Sequence, residues 1–244
     1  TSNYKYFIHT FEDSNTPLVY SLRESKTGEL IRRIMDNNEL LKKLEPYDLS
    51  RKDFSQISIN GQDLNMWMIK PTNFNPKKKY PVLIYQYSGP GSQEVENRWN
   101  NNRDFWHQLL AQKGYIIVCV DGRGTGFKGK KFKKVTYGQL AKYETEDQIS
   151  FAKYLSKLPY IDKNRIGIWG WSYGGLISTN SILKGNDVFS LAIAVAPVTN
   201  WRFYDTIYTE RFMGLPKNNS DGYDLNSPLN FAHLLEGDYL LIHG

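Results

Sequence analysis

Five short runs in the chain are apolar almost throughout: YPVLIYQYSG (80–89), YIIVCVDG (115–122), RIGIWGW (165–171), LAIAVAPV (191–198) and DYLLIHG (238–244). A strand with one wet face alternates apolar and polar residues, whereas a strand apolar on both faces has to be covered on both. Segments of helical period lie between these runs. NRDFWHQLLAQKG (102–114) closes on Gly114, and LAKYETEDQISFAKYLSKL (140–158) stops before Pro159. LISTNSILKG continues as a helix after the third run, and SPLNFAHLLEG reads as one capped by Ser227 with Pro228 in its first turn. Strands and helices alternating in this way predict an α/β fold, a mostly parallel sheet with helices on both faces. FSQISI and LNMWMIKP, joined across NGQD, predict a hairpin leading into it.

Residues 1–36 have a different texture. KYFIHTF, PLVYSLRE and GELIRRIM are separated by the turn-rich SNT and SKTG, three short strands with no helix, as in a piece of an all-β unit. DNNELLKKL (36–44) predicts a short helix capped by Asp36 or Asn37, and EPYDLSRKDF a linker. In 244 residues, 40% hydrophobic content supplies a real core, and a charged fraction of 23% argues against disorder. No apolar run approaches the roughly 18 residues of a membrane span, so none is expected in this chain. The opening residues lack the basic start and apolar core of a signal peptide. The net charge of +6 gathers in Lys77–Lys79 and in KGKKFKK (128–134). With no helix or aromatic platform expected to organise them, these read as solvated loop lysines, and no nucleic-acid partner is expected. The single Cys119 excludes an intrachain disulfide and a multi-cysteine zinc site, and inside YIIVCVDG it reads as a small buried hydrophobe. Nothing implies a metal or cofactor.

RIGIWGWSYGG (165–175) carries the chemistry. The bare Gly-x-Ser-x-Gly pattern is weak, and an ordinary strand-to-helix turn would also satisfy it. Its context is selective: a buried strand before it and a helix after it, as a nucleophile elbow requires. The elbow holds Ser172 in a strained turn with its oxygen projecting from the sheet. Gly170 and Gly174 keep side chains out of the crowded turn, and Gly175 permits close helix–strand packing. An elbow serine needs two oxyanion donors. One is the backbone N–H of Tyr173. For the second, YQYSGPGSQ (85–93) offers the Tyr87 phenol, although read alone Tyr87 is a core aromatic with a wet tip. In WRFYDTIYTERFMG (201–214), Trp201, Tyr204, Tyr208 and Phe212 fall on one face of a continuous helix. Composition reads that stripe as core. Its place just past a strand end, where α/β sheets put their ligand crevice, reads it as an aromatic box.

GWSYGG, YSGPGSQ, VDGRGTGFKG, APVTNWRFYDTIYTERFMG and YLLIHG, in this order, resemble the dipeptidyl peptidase IV branch of the prolyl oligopeptidase family, over essentially the whole chain. The resemblance implies an α/β-hydrolase domain joined to a β-propeller, and a serine exopeptidase releasing N-terminal dipeptides with proline or alanine second. Residues 1–36 would then be terminal propeller strands, 37–49 a linker helix, and 50–244 the hydrolase domain lacking its C-terminal part. It implies Ser172 as nucleophile, Tyr87 and the Tyr173 amide as oxyanion donors, and Tyr173, Val198, Trp201, Tyr204 and Tyr208 as the wall of a proline pocket. Its partners would be peptides with proline or alanine second. Family members often dimerise through the end of the hydrolase domain, so a homodimeric parent is one expectation.

In this fold the order along the chain is serine, acid, histidine. By the resemblance, the acid comes just after the last His-Gly and the histidine further on, so neither is expected here, and the 244 residues read as an incomplete, inactive portion. His243 sits at a strand end, His233 in a helix, and His9 and His107 precede the serine. Asp205 and Asp238 are carboxylates without a histidine to orient. An acyl esterase or acylaminoacyl peptidase of the same fold, and a non-catalytic interaction domain on it, remain alternatives. One cysteine and many Asn and Lys residues fit a secreted or periplasmic bacterial peptidase better than an animal ectodomain.

Overall fold

The computed structural model of the chain describes residues 3–99 and 101–244. Three strands, β1 (Tyr6–Asp13), β2 (Thr16–Glu24) and β3 (Leu30–Met35), form an antiparallel sheet in the order β1-β2-β3. A short helix α1 (Asn38–Leu44) follows. The cap falls on Asn37, one of the two expected residues, but without the expected side-chain bond. Asn37 occupies the N-cap position with φ +56° and makes no side-chain cap bond, donating instead to Leu18 O at 2.6 Å. The sheet also touches the rest of the chain through Arg98, which bonds Glu12 at 2.8 Å.

The second sheet has seven strands. β4 (Lys52–Ile59) and β5 (Gln62–Ile69) form the expected hairpin. Its turn runs through Asn60 and Gly61 at φ +51° and +70°, the left-handed pair that a two-residue hairpin turn demands. Then come β6 (Tyr80–Tyr85), α2 (Asn101–Gln112), β7 (Ile116–Asp121), α3 (Gly129–Lys134), α4 (Lys142–Leu155), β8 (Ile161–Trp171), α5 (Tyr173–Lys184) and β9 (Leu191–Val195). The chain continues through α6 (Thr206–Met213), α7 (Ser220–Asp224) and β10 (Asp238–Ile242). The strand order is β10-β9-β8-β6-β7-β5-β4, antiparallel across β4-β5-β7 and parallel from β7 to β10. This is the mostly parallel sheet of an α/β-hydrolase fold.

Alternate residues of β5 to β8 divide between two cores, which is why those runs lack polar positions; β10 departs from the expected two-sided burial, because it is the edge strand and Leu240, Leu241 and Ile242 are exposed. Met66, Met68, Val82, Ile84, Ile116, Val118, Ile166 and Ile168 pack with Phe151, Ala152 and Leu155 of α4 and Ile182 and Leu183 of α5. Trp67, Ile69, Leu83, Tyr85, Ile117, Cys119 and Trp169 point the other way, with Ala111 of α2. Helices therefore cover both faces. Cys119 is fully buried, as its setting required.

Three local expectations are corrected. KGKKFKK is not loop: α3 forms there because Phe132 buries itself and Gly129, at φ +84°, turns the chain into the helix, leaving the lysines in solvent. The 201–214 segment is not one helix, for reasons set out below. Pro228–Leu234 is a 3-10 turn rather than an α-helix. Ser227 Oγ does not cap it; it donates to Thr199 O at 2.7 Å.

Candidate active site

Ser172 stands between β8 and α5 with φ +58° and ψ −113°. Such a conformation costs a non-glycine residue on the order of 1–3 kcal/mol and persists only where its surroundings dictate it. Here they do. Its N–H donates to Val195 O at 2.8 Å on the neighbouring strand, and its carbonyl accepts from Leu176 N at 3.1 Å. A serine at this position normally caps the helix with its hydroxyl. The twisted backbone turns Ser172 away from that role, and its side chain makes no cap bond. Three non-glycine residues with positive φ sit beyond the C-terminal ends of adjacent strands: Ser88 after β6, Ser172 after β8 and Ala196 after β9. These three positions lie where parallel sheets place their ligands.

Close backbone contact makes the turn possible. A Cβ on Gly170 would lie 2.6 Å from Gln86 O, and one on Gly174 would lie 2.5 Å from the same oxygen. One on Gly175 would meet Pro197 and Val195 O at 3.0 Å. Gln86 completes the junction by donating from Nε2 to Gly174 O at 2.8 Å and to Ser178 Oγ at 3.0 Å. Tyr87, next along the chain, is thereby fixed beside the turn, its ring 6.2 Å from that of Tyr173.

The aromatic residues assemble. Tyr173, Trp201 and Met213 share a third buried cluster with Leu140, Ala141, Leu176, Ile177 and Tyr223, and Tyr87, Val198, Tyr208 and Phe212 pack against it. Trp201 lies 5.6 Å from Tyr173, 5.6 Å from Tyr208 and 5.5 Å from Tyr204. The segment is broken to do this. Asn200 Oδ1 accepts from Arg202 N, and Asp205 Oδ1 accepts from Tyr208 N, each at 2.8 Å. Two such caps start a 3-10 turn at Trp201–Phe203 and then α6 afresh, with Tyr204 extended between them.

Sequence reasoning missed the buried carboxyls beneath this arrangement. Glu144, in the first turn of α4, accepts from the Tyr173 hydroxyl at 2.6 Å. Burial pushes its pKa up to about 8; the Tyr173 bond and the Glu144 and Ala141 amides pull it down, and Asp147 pushes it further up. Burial, and then Glu144, hold the Tyr173 phenol well above its ordinary range. Asp147 is held by Arg123 at 2.7 Å and by Asn60 at 2.9 Å. Asp121 ends β7 and accepts from Val95 N at 2.9 Å and Glu94 N at 3.1 Å, pinning the loop after Tyr87; burial raises its pKa to about 6. Acidic residues in KYETEDQ look like ordinary first-turn helix acids, and nothing in the sequence marks one of them as buried.

The histidines lie elsewhere. His107 is buried among Trp67, Tyr85, Trp106 and Trp169 on the α2 face. His233 and His243 are exposed, with His243 Nδ1 2.8 Å from Gly244 O. Asp205 is occupied as a cap, and Asp238 is exposed at the start of β10. Among the described residues there is no cluster of three or more metal-ligating side chains, and no helix is long and apolar enough to cross a membrane.

Comparison with known proteins gives a consistent result. The prolyl oligopeptidase family profile matches residues 101–244. A probable dipeptidyl-aminopeptidase B of Paracoccidioides lutzii is 47% identical over 214 residues, 86% of this chain and 23% of that protein. One from Phaeosphaeria nodorum is 40% identical over 98% of this chain and 26% of its own length. The crystal structure of Porphyromonas gingivalis dipeptidyl peptidase 4 superposes with a TM-score of 0.95 at 46% identity, over 100% of this chain and 34% of that one. The chain thus spans about a quarter of the curated relatives it matches.

Two predictions follow from the geometry, both read on the full-length protein. Gly174→Ala places a methyl group against Gln86 O, and the roughly 1–3 kcal/mol typical of overpacking should appear as a lower Tm. Glu144 takes up a proton more readily when folded, so its contribution to stability is full below the unfolded pKa near 4.5 and is lost as pH rises through about 8. Asp121 follows the same sign with its loss complete near 6, so the Glu144 contribution between pH 6 and 8 is read as the difference between wild type and Glu144→Gln. Asp147 on the same helix and Tyr173 and Tyr208 packed against it are the groups facing the carboxyl. The wild-type Tm should fall across that window, and the fall should be smaller in Glu144→Gln.

Proposed function

The chain belongs to the prolyl oligopeptidase family, in its dipeptidyl peptidase IV branch, and from that premise we propose that it is the nucleophile-bearing part of a serine exopeptidase that removes N-terminal dipeptides with proline or alanine second. The observation that carries this reading is the strained Ser172 turn set against the aromatic cluster. Ser172 Oγ attacks the carbonyl carbon of the substrate's second residue, forming an acyl-enzyme as the peptide bond to the third residue breaks and the amine of the shortened peptide leaves; water then frees the dipeptide. The negative charge that develops on the carbonyl oxygen is met by the Tyr87 hydroxyl and the Tyr173 N–H. That N–H is the first amide of α5, which has no intrahelical acceptor and lies at the positive end of the helix.

Tyr173, Val198, Trp201, Tyr204 and Tyr208 form the wall that receives the second side chain. A proline ring is compact and apolar, and its nitrogen carries no hydrogen in a peptide, so stacked rings select it without polar partners. In this reading the general base and its orienting acid, and the groups that bind the substrate's free amine, come from outside these 244 residues. Residues 1–36 are then strands of a β-propeller, 37–49 the link, and 50–244 most of the hydrolase domain.

The test uses the full-length protein, a fluorophosphonate probe and Gly-Pro p-nitroanilide. The probe should label Ser172, and Ser172→Ala should lose the label and about 10⁶-fold in turnover, the scale seen for other serine peptidases. Tyr87→Phe should lower kcat by about 10²–10³-fold with KM little changed. Turnover that survives Ser172→Ala sinks the proposal. Hydrolysis of esters without Gly-Pro cleavage reassigns the aromatic wall to another acyl group.

A further inference from the structure

Tyr173 is held at both ends. Its backbone opens α5 directly after Ser172, and its hydroxyl donates to Glu144 Oε1 at 2.6 Å and accepts from Ala141 N at 3.2 Å. Ala141 can present its N–H because it takes φ +72°, a conformation that costs alanine strain and that Thr145 secures by donating to Ala141 O at 2.5 Å. Glu144 is buried, and its other oxygen, Oε2, has no hydrogen-bond partner among the described residues. Burying a carboxyl is costly, and an apolar side chain would fill the same space at less cost. Among the described residues, Tyr173 is the one side chain that Glu144 hydrogen-bonds. The ring so held stands between Tyr87 and Trp201, at 6.2 and 5.6 Å.

We propose that Glu144 is a positioning residue that fixes the width of the aromatic pocket by holding the Tyr173 hydroxyl, an inference that rests on the function proposed above. A tyrosine anchored only at its backbone can rock about its side-chain torsions. Anchored at the phenol as well, it presents a fixed face to the compact ring of the substrate. The strained Ala141 turn and the buried carboxyl are the structural cost of that fixed face. Glu144 touches no reacting atom and acts through Tyr173.

The experiment uses the full-length protein with Glu144→Leu, Glu144→Gln, Tyr173→Phe and the double variant Glu144→Leu/Tyr173→Phe. Each is assayed on Gly-Pro p-nitroanilide and on p-nitrophenyl acetate, whose acetyl group is too small to need the wall. The ratio of the two kcat/KM values should fall about 10-fold in Glu144→Leu and in Tyr173→Phe, mainly through KM for Gly-Pro, as the loss of one strong hydrogen bond implies. Glu144→Gln keeps an acceptor oxygen and should hold the ratio within about 3-fold of wild type. The double variant should fall no further than either single one, because both remove the same bond. Tyr173→Phe tests that bond from its other end if Glu144→Leu does not fold. An unchanged ratio in Tyr173→Phe, equal losses on both substrates, or additive losses in the double variant overturn the inference while wild-type Gly-Pro cleavage leaves the proposed function standing. A wild-type protein that does not cleave Gly-Pro overturns both.

Discussion

Backbone meets backbone at the end of β8, and the rest of the site depends on that approach. Gly170 and Gly174 let the Gln86 carbonyl come within the space a Cβ would occupy, and Gly175 lets α5 settle onto Pro197. The approach locks β6, β8 and β9 together just past their C-terminal ends. The strained conformation of Ser172 is then imposed from both sides, by Val195 O on one strand and by the first turn of α5. The same contact sets Tyr87 beside Tyr173, because Gln86, which closes the junction, is its immediate neighbour. A serine, a phenol and a helix amide are therefore positioned by one packing event, at the ends of β8, β6 and α5.

Around that junction three buried acids tie loops to the scaffold, each in its own way. Asp147 is fully used: Arg123 binds it through side chain and backbone, and Asn60 reaches it from the β4–β5 turn. Asp121 accepts two loop amides, and burial still raises its pKa. Glu144 has the thinnest support, one phenol and nearby amides, and its pKa rises further than that of Asp121. The order of Asp121 and Glu144 follows the rule that a buried charge is tolerated in proportion to its partners. It also separates Glu144 from the other two: Asp147 and Asp121 hold main chain in place, whereas Glu144 holds one ring of the cluster.

The sheet was legible because its evidence is local. The apolar runs of β6, β7 and β8 report their own burial on two faces, and Asn60-Gly61 reports its own turn, whereas the equally apolar β10 lies exposed at the sheet edge because a run cannot report its place in the strand order. Ser172 was legible for the same reason, since an elbow needs a strand, a tight turn and a helix in immediate succession. Glu144 was not, because its burial is decided by Tyr173, 29 residues away along the chain, with no periodic signal between them. The α3 helix was hidden by charge: one buried Phe132 among five lysines outweighs what composition suggests for the stretch. Ser227 shows the same limit at smaller scale, as a sound capping residue whose hydroxyl is claimed by Thr199 instead.

The aromatic segment separates what pattern can reach from what geometry decides. In an unbroken helix Trp201 and Tyr208 would lie about 10 Å apart along the axis, seven residues at 1.5 Å each, and the four rings would form a ridge. A ridge packs against a core, and it does not enclose a ligand. Asn200 and Asp205 each cap a new start, so the chain folds back at the extended Tyr204. The Trp201 and Tyr208 rings then lie 5.6 Å apart and nearly parallel, with Tyr204 edge-on to both. Two short polar side chains thus convert a stripe into a cluster of rings gathered around Trp201. Trp201 is buried on the cluster while Tyr204 stays open to solvent.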